Sequence, residues 1–378
     1  MYRKNILFVV KVYIFGLIFI ILHTGIWIMP NIGAEYTISQ YIYNPTVLMN
    51  NFKDPMSQYV LAQFLEPLLF SIFHLHKQVY FILFLFFENL LFYLLFSIWF
   101  LKNHDIKEND IYKYFLAICF PVFSLPFYWM GMNGMVLLLL LLSMLYYNSL
   151  LFCLFSFLLG FQSSSIGINA FLILGISLVI YKIFNNRFNY GNISYFKNSD
   201  ILKAFIGVFS VFVGKIVLLF IFNKLDIHRT GTAFTWIEVY WKDFIKQWLL
   251  NCNTILYSIY GITWIAILNR IKMIWYILPS TFMAFLLTII ANDETRIALL
   301  VLFPSLFYFI LKNKDFFNSF SSNEAFIYVF VFFISPFLYI WGGIPYAISL
   351  ISSDINIIHI IHHTKGYNWN YPWILTPH

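Results

Sequence analysis

Charged residues are scarce in this sequence. Only 10% of its 378 residues are Asp, Glu, Lys or Arg, whereas 61% are hydrophobic and the mean hydropathy is +0.79. A soluble domain cannot bury that much apolar surface, so the composition argues against an ordinary soluble globule. Hydrophobic runs of about 15 to 25 residues recur along the chain, which predicts an all-α, polytopic integral membrane bundle.

Cysteines are few and nucleotide-binding motifs are absent. The three cysteines, Cys119, Cys153 and Cys252, lie in or beside apolar runs without metal-ligand spacing, which argues against a disulfide framework. The sequence has no Walker loop and no Rossmann fingerprint, so no nucleotide site is predicted. We interpret the net charge of +7 as a signal of membrane topology. The sequence has no basic run within a soluble domain that could bind a nucleic-acid backbone.

Metal-binding patterns are also weak. His359, His362 and His363 have helical spacing, but no carboxylate or fourth histidine is placed to complete a ligand set. We therefore predict no metal site and no cofactor, with a divalent cation as the remaining alternative.

Eleven apolar segments predict membrane helices. They lie at about 6–29, 78–101, 114–130, 134–147, 149–161, 166–184, 204–223, 249–269, 272–291, 297–312 and 326–343. The first run is too long for a signal peptide and no small-residue cleavage site follows it, so we expect an uncleaved first helix. With the N-terminus inside, the inner loops hold most of the lysines and arginines, as the positive-inside rule requires.

This orientation holds only if the run 58–75 does not span the membrane. Glu66-Pro67 in its middle favours an interfacial or re-entrant helix on the outer face; if it does span, the count becomes twelve. We predict a single membrane domain, 1–378, with outer segments 30–77 and 224–248 and an outer tail, 344–378. The aromatic spacing within 224–248 fits an amphipathic surface helix.

The polar segment DETR, residues 293–296, opens a hydrophobic helix. The helix dipole disfavours a cation in the first turn, and an unpaired guanidinium near lipid would cost several kcal/mol. Arg296 therefore needs an anion, which is either Asp293 or the phosphate of a ligand.

Other polar residues on the predicted outer face could join such a site. Arg229, His228 and Lys242 in the segment 224–248 could hold a lipid diphosphate, or could belong to an ordinary interfacial helix. Glu35 and Asp54 are candidates for a general base, and also for plain loop polarity.

Three more polar residues lie in or beside helices. Gln162, in an outer turn, could line the same cavity as the candidate base. Glu88 and Lys215 lie mid-helix, where ionisable residues are rare, and could pair with each other.

The layout resembles two groups of bacterial envelope-glycan proteins: the O-antigen polymerases (Wzy-type) and the GT-C polyprenyl-phosphate-dependent glycosyltransferases. The resemblance rests on a first helix followed by a long outer segment with Glu35, an outer loop with Arg229, and the stretch SIYGITWIAIL (258–268) leading to DETRIALLVLFP (293–304). It implies that Glu35 acts as the base and that Arg229 and Arg296 hold the lipid diphosphate.

We therefore expect a glycosyltransferase or polymerase in the bacterial cytoplasmic membrane. Its substrate would be a polyprenyl-phosphate-linked glycan at the outer face, with membrane lipid and glycan-assembly proteins as partners. The alternatives are a transporter or flippase, which should show paired ionisable residues near the midplane and repeat symmetry, and a non-catalytic assembly subunit.

Overall fold

A computed structural model shows a mostly helical chain. The structure describes residues 2–348 apart from 27, 29–31, 54–56, 129, 132, 189–195, 229–232, 292–293 and 342–343. The tail from residue 349 onward, with the histidines 359–363, lies outside the described residues.

The described elements are sixteen α-helices and two strands. The helices are α1 Tyr2–Thr24, α2 Ile32–Tyr41, α3 Pro45–Asn51, α4 Leu65–Ser71, α5 Gln78–Asn103, α6 Ile111–Ile118, α7 Leu125–Tyr128, α8 Asn133–Leu145, α9 Leu150–Phe188, α10 Asn198–Lys224, α11 Ala233–Tyr260, α12 Thr263–Leu268, α13 Ile271–Leu287, α14 Glu294–Leu306, α15 Lys314–Asn318 and α16 Ser322–Ile334. The strands β1 Phe337–Trp341 and β2 Ile344–Ile348 form an antiparallel hairpin. Short 3-10 helices cover Ser57–Ala62, Glu108–Asp110, Pro121–Phe123 and Thr288–Ile290, and a π-helical turn, Phe307–Leu311, follows α14.

Within the described residues, five helices are long and apolar enough to cross a membrane. They are Ile6–Thr24, Gln78–Asn103, Leu150–Asn185, Asn198–Lys224 and Glu294–Leu311. The last is 94% buried over its apolar window, whereas the first is 22% buried, so α14 is the central helix of the bundle and α1 is peripheral. The predicted helical class is therefore confirmed, apart from the one hairpin near the end of the described chain, and the five long apolar helices agree with a membrane protein. The predicted number of about eleven spans stays a prediction.

Helix α9 reverses direction in its middle. Ser163 has a non-helical backbone, with φ −162° and ψ 81°. The Phe152 and Phe171 rings lie 5.4 Å apart, although 19 residues of continuous helix would separate them by about 28 Å. The two arms, 150–162 and 164–188, are thus antiparallel, as the two predicted helices 149–161 and 166–184 require.

Glycines allow α10 to lie directly against both arms of α9. A Cβ added at Gly214 would come within 2.1 Å of the Phe157 carbonyl oxygen, and one at Gly160 within 2.4 Å of the Val211 oxygen. Backbones that approach this closely leave no room for a side chain between them. Such close contact lets helices pack tightly in lipid, where the hydrophobic effect does not favour helix association.

Proline accounts for two differences from the predicted helices. The predicted span 114–130 is broken into α6, a 3-10 turn at Pro121 and α7, because proline lacks an N–H and clashes with the preceding turn. The predicted span 326–343 ends at Ile334, just before Ser335 and Pro336, and the chain continues as strand β1.

The segment 58–75 does not contain a long helix. It forms a 3-10 helix and then α4, whose seven residues extend only about 10 Å. The Phe64 N–H donates to the Phe161 carbonyl at the α9 reversal, at 3.1 Å, so the segment packs against the end of that hairpin. This agrees with the prediction that the segment does not span.

Replacing Gly214 by Ala should destabilise the protein, because the new methyl group meets the Phe157 carbonyl. Overpacking of this kind costs about 1–3 kcal/mol. The matched control is Gly33→Ala in α2, where the nearest atom to an added Cβ is 4.0 Å away. There alanine should stabilise the helix by about 0.5–1 kcal/mol. Thermal unfolding in detergent measures both; equal shifts for the two variants would contradict the close helix contact.

Candidate functional site

Three glutamates meet in the interior near the α9 reversal. Glu35 lies on α2, Glu66 on α4 and Glu88 on α5, with exposed fractions of 1%, 1% and 6%. They interact with one another electrostatically, and we call them the carboxyl cluster. Three ionised carboxylates this close and this deep would be very unfavourable, so the cluster must hold protons or a counter-charge.

Gln162 fixes the position of Glu66. The Glu66 backbone N–H, free in the first turn of α4, donates to Gln162 Oε1 at 3.0 Å. Gln162 Nε2 donates in turn to Glu66 Oε2 at 2.8 Å. One fully buried amide at the reversal therefore holds both the helix start and the carboxyl group that it carries.

Glu66 and Glu88 interact directly. The Glu88 carboxyl group lies within hydrogen-bonding reach of Glu66 and favours the charged form of Glu66, as Gln162 does. Because two carboxylates cannot donate to each other, a hydrogen bond between these two groups requires a proton on one of them.

Arg296 supplies the positive charge beside the cluster. It is 9% exposed in the first turn of the central helix, and its guanidinium interacts electrostatically with Glu35. The sequence predicted that Arg296 needs an anion, and Glu35 is one. Asp293, the partner considered first, lies outside the described residues.

The surroundings raise the pKa of Glu35 and of Glu66. Burial raises the pKa of Glu66 to about 7, although hydrogen bonds from Glu88 and Gln162 favour its charged form. Burial, and then the neighbouring Glu66, raise the pKa of Glu35 well above its ordinary value, while Arg296 opposes this shift. A carboxyl group that titrates near neutrality can take or give a proton at physiological pH.

Helices α7 and α8 pack against the part of α5 that carries Glu88. Asn89, next to Glu88 on α5, donates through Nδ2 to the Pro126 carbonyl at 2.8 Å. A Cβ at Gly134 would lie 2.3 Å from Asn89 Oδ1 and 3.8 Å from Glu88 Oε2. Glycine at this position therefore lets α8 pack directly over the Glu88–Asn89 turn of α5.

Thr295 links the start of α14 to two other elements. Its hydroxyl donates to Ser258 Oγ of α11 at 3.1 Å and accepts from the Ile340 N–H of β1 at 3.1 Å. The two stretches that carry the family resemblance, 258–268 and 293–304, are thus in contact, and β1 covers the end of the helix that presents Arg296.

The structure brings together three of the eight residues predicted from sequence. Glu35, Arg296 and Gln162 belong to this buried assembly. Glu35 is buried, with 1% of its surface exposed, rather than open to an outer cavity as predicted.

The other five predicted residues lie elsewhere. Asp54, Asp293 and Arg229 are outside the described residues. His228 is exposed, 4.0 Å from the equally exposed Asp226. Lys242 is exposed on α11, with its Nζ 5.6 Å from the centroid of the Trp241 ring.

Sequence reasoning missed Glu66 and misassigned Glu88. Glu66 was interpreted only as a mark of an interfacial helix, although an acid before a proline in an apolar run was a usable signal. Glu88 was considered as one partner of a pair with Lys215, but Lys215 is exposed on α10, whereas Glu88 is buried and interacts with Glu66.

Comparison with protein-family models, curated proteins and solved structures finds no match. The function is therefore argued from the geometry of the site. Among the described residues, no group of three His, Cys, Asp or Glu side chains has an arrangement that could hold a metal ion.

Replacing Glu66 by Gln should remove a pH-dependent loss of stability. Between the ordinary glutamate pKa of 4.5 and the folded value of about 7, the unfolded chain releases a proton that the folded chain keeps. Stability must therefore fall as the pH rises through this window, by about 3 kcal/mol for a shift of this size. Thermal unfolding across the same window should show a smaller slope for Glu66→Gln.

The control is Glu108→Gln, which changes an exposed carboxyl in the 3-10 helix that follows α5. This variant should keep the wild-type slope. If Glu66→Gln also keeps it, Glu66 does not hold a proton in the folded protein.

Proposed function

We propose that this protein is a glycosyltransferase or polysaccharide polymerase of the bacterial cytoplasmic membrane. It would act on polyprenyl-(di)phosphate-linked sugars at the outer face. The observation that carries the proposal is the buried Glu35 beside Arg296, next to Glu66, whose pKa burial raises to about 7. A carboxylate base and a guanidinium for a leaving phosphate are the two groups that such a transfer needs.

The proposed reaction uses Glu35 as the base. An acceptor hydroxyl attacks the anomeric carbon of the lipid-linked sugar, the bond from that carbon to the phosphate oxygen breaks, and the hydroxyl proton moves to Glu35. Protonated Glu35 no longer neutralises Arg296, which then stabilises the leaving (di)phosphate. Glu66, with its pKa near 7, is placed to take the proton on afterwards.

Substrate access requires movement of the outer segment. Glu35 is 1% exposed. A cavity near the start of α14, lined in part by His23, Tyr257 and Ser258, has a volume of about 10 Å³, enough for about one water molecule. We propose that the short helices α2 and α4 shift away from α5 to admit the sugar.

We also propose the predicted topology of about eleven spans with the N-terminus inside. Loops predicted to be inside contact one another: Lys314 Nζ lies 3.2 Å from Asp105 Oδ2, and the His104 ring lies 2.7 Å from the Leu311 carbonyl. The predicted outer turn at Gln162 contacts the outer residue Glu66. These contacts support a bundle with the carboxyl cluster near its outer end.

Two substitutions test the proposed transfer. The full chain is reconstituted in lipid nanodiscs with polyprenyl-linked oligosaccharides extracted from the source membranes, and release of polyprenyl phosphates is followed by mass spectrometry. Glu35→Gln should lower turnover by about 10²–10⁴-fold, as for loss of a general base. Arg296→Lys should lower it by about 10²–10³-fold, because a lysine cannot bind phosphate in bidentate fashion.

Glu108→Gln is the matched control and should leave turnover unchanged. All variants are compared only where their thermal unfolding matches the wild type. Wild-type turnover in both Glu35→Gln and Arg296→Lys would overturn the proposal, as would a wild-type protein that releases no polyprenyl phosphate from the extracted lipids.

A second candidate function is proton-coupled transport. The observation that favours it is the direct interaction of the buried Glu66 and Glu88 carboxyl groups in a bundle of long apolar helices, since buried carboxyl pairs often serve as proton relays. Proteoliposomes containing a pH-sensitive dye measure this directly. A transporter should acidify the lumen when the extracted lipid-linked glycans are added outside, and Glu66→Gln should abolish the signal. A glycosyltransferase should give turnover without proton flux.

A further inference from the structure

A second polar assembly lies at the opposite end of the bundle. Asp200, 3% exposed at the start of α10, is surrounded by Tyr147, Tyr308, Lys203 and Lys312. These residues come from the turn between α8 and α9, from α10 and from the end of the central helix. We call them the lysine–tyrosine cluster.

The carboxylate of Asp200 is fully used within this cluster. Its Oδ1 pairs with Lys203 Nζ at 3.1 Å, and its Oδ2 accepts from the Tyr308 hydroxyl at 2.6 Å and from the Lys197 backbone N–H at 3.1 Å. The Tyr147 hydroxyl donates to the Asp200 carbonyl at 2.6 Å. Asp200 is thus the fixed centre that positions the tyrosines.

Each of the two tyrosine rings lies beside the ammonium group of one lysine. The rings lie 6.2 Å apart in a T-shaped arrangement. Lys203 Nζ is 5.6 Å from the centroid of the Tyr147 ring, and Lys312 Nζ is 5.3 Å from that of Tyr308. These cation–π contacts help to hold both ammonium groups in place. Lys203 Nζ also pairs with Asp200 Oδ1 and donates to Asn148 Oδ1.

Positive charge exceeds negative charge around Asp200. Lys197, Lys203 and Lys312 all interact with the same region, where Asp200 is the acid that offsets them. Burial lowers the pKa of Lys312, and the other two lysines add to this effect while Asp200 opposes it. A partly buried site with this excess attracts an anion with several acceptor oxygens.

The surroundings of the cluster are apolar and exposed. Leu202, next to Lys203, is 63% exposed, and Leu150, at the start of α9, is 88% exposed. In a membrane protein such side chains contact acyl chains. A soluble anion would leave them uncovered, whereas a phospholipid would place its phosphate on the lysines and its chains on the leucines.

We propose that the lysine–tyrosine cluster binds the phosphate group of an anionic phospholipid. Lys203 and Lys312 contact the phosphate oxygens. The buried rings of Tyr147 and Tyr308 hold the two ammonium groups, and Asp200 fixes the tyrosines through their hydroxyl groups. This site lies at the other end of the bundle from the carboxyl cluster, so it does not depend on the proposed transfer reaction.

Native mass spectrometry of the purified full chain with added phosphatidylglycerol tests this site. Because a lysine near a membrane surface changes lipid affinity about fivefold, the double variant Lys203→Gln with Lys312→Gln should weaken the tightest lipid site about thirtyfold. The matched control, Lys102→Gln with Lys107→Gln, removes the same charge from two exposed lysines at the same end and should keep the wild-type affinity.

A charge-preserving variant covers the case in which the glutamine variant fails to fold. Lys203→Arg with Lys312→Arg should keep phosphatidylglycerol bound within about threefold of wild type, since arginine retains the charge. Binding that falls equally in the glutamine variant and the control would overturn the proposal, as would a folded arginine variant that loses the lipid. Displacement of the lipid by millimolar inorganic phosphate would show a soluble-phosphate site instead.

Discussion

Charge balance in a low-dielectric interior is the constraint on which the rest of this structure depends. Glu35, Glu66 and Glu88 cannot all be ionised where water does not reach them. The Arg296 guanidinium favours the charged form of Glu35, and hydrogen bonds from Glu88 and Gln162 favour the charged form of Glu66. The elements that carry these groups must therefore stay together, which explains why a segment as short as α4 is held against the bundle.

The local backbone makes that assembly possible. The reversal at Ser163 places Gln162 where its amide can cap α4 and hold Glu66 at the same time. Glycines at 134 and 160 remove the side chains that would keep neighbouring helices apart. Close packing and the hydrogen bonding of buried polar groups thus depend on each other. If the helices moved slightly apart, buried carboxyl and amide groups would lose their hydrogen-bond partners.

The two ends of the bundle handle charge differently. At one end three acids are buried close together, and one of them, Glu35, interacts with Arg296. At the other end the buried Asp200 contacts two tyrosines and a lysine beside exposed apolar side chains. The first arrangement therefore places acids against one another, whereas the second surrounds one acid with basic residues.

The sequence by itself determined the helical membrane class, the helices at 78–101 and 204–223, the reversal near 162–165 and the need of Arg296 for an anion. These follow from local properties, namely hydrophobic run length and the cost of an unpaired charge. Only the tertiary structure decided that Glu35 lies close enough to interact with Arg296, that Glu66 faces Glu88 and Gln162 rather than the surface, and that the last predicted helix gives way to a hairpin. Each of these depends on contacts between residues far apart in sequence, such as the 96 positions between Glu66 and Gln162, and apolar periodicity carries no information about which buried polar groups meet.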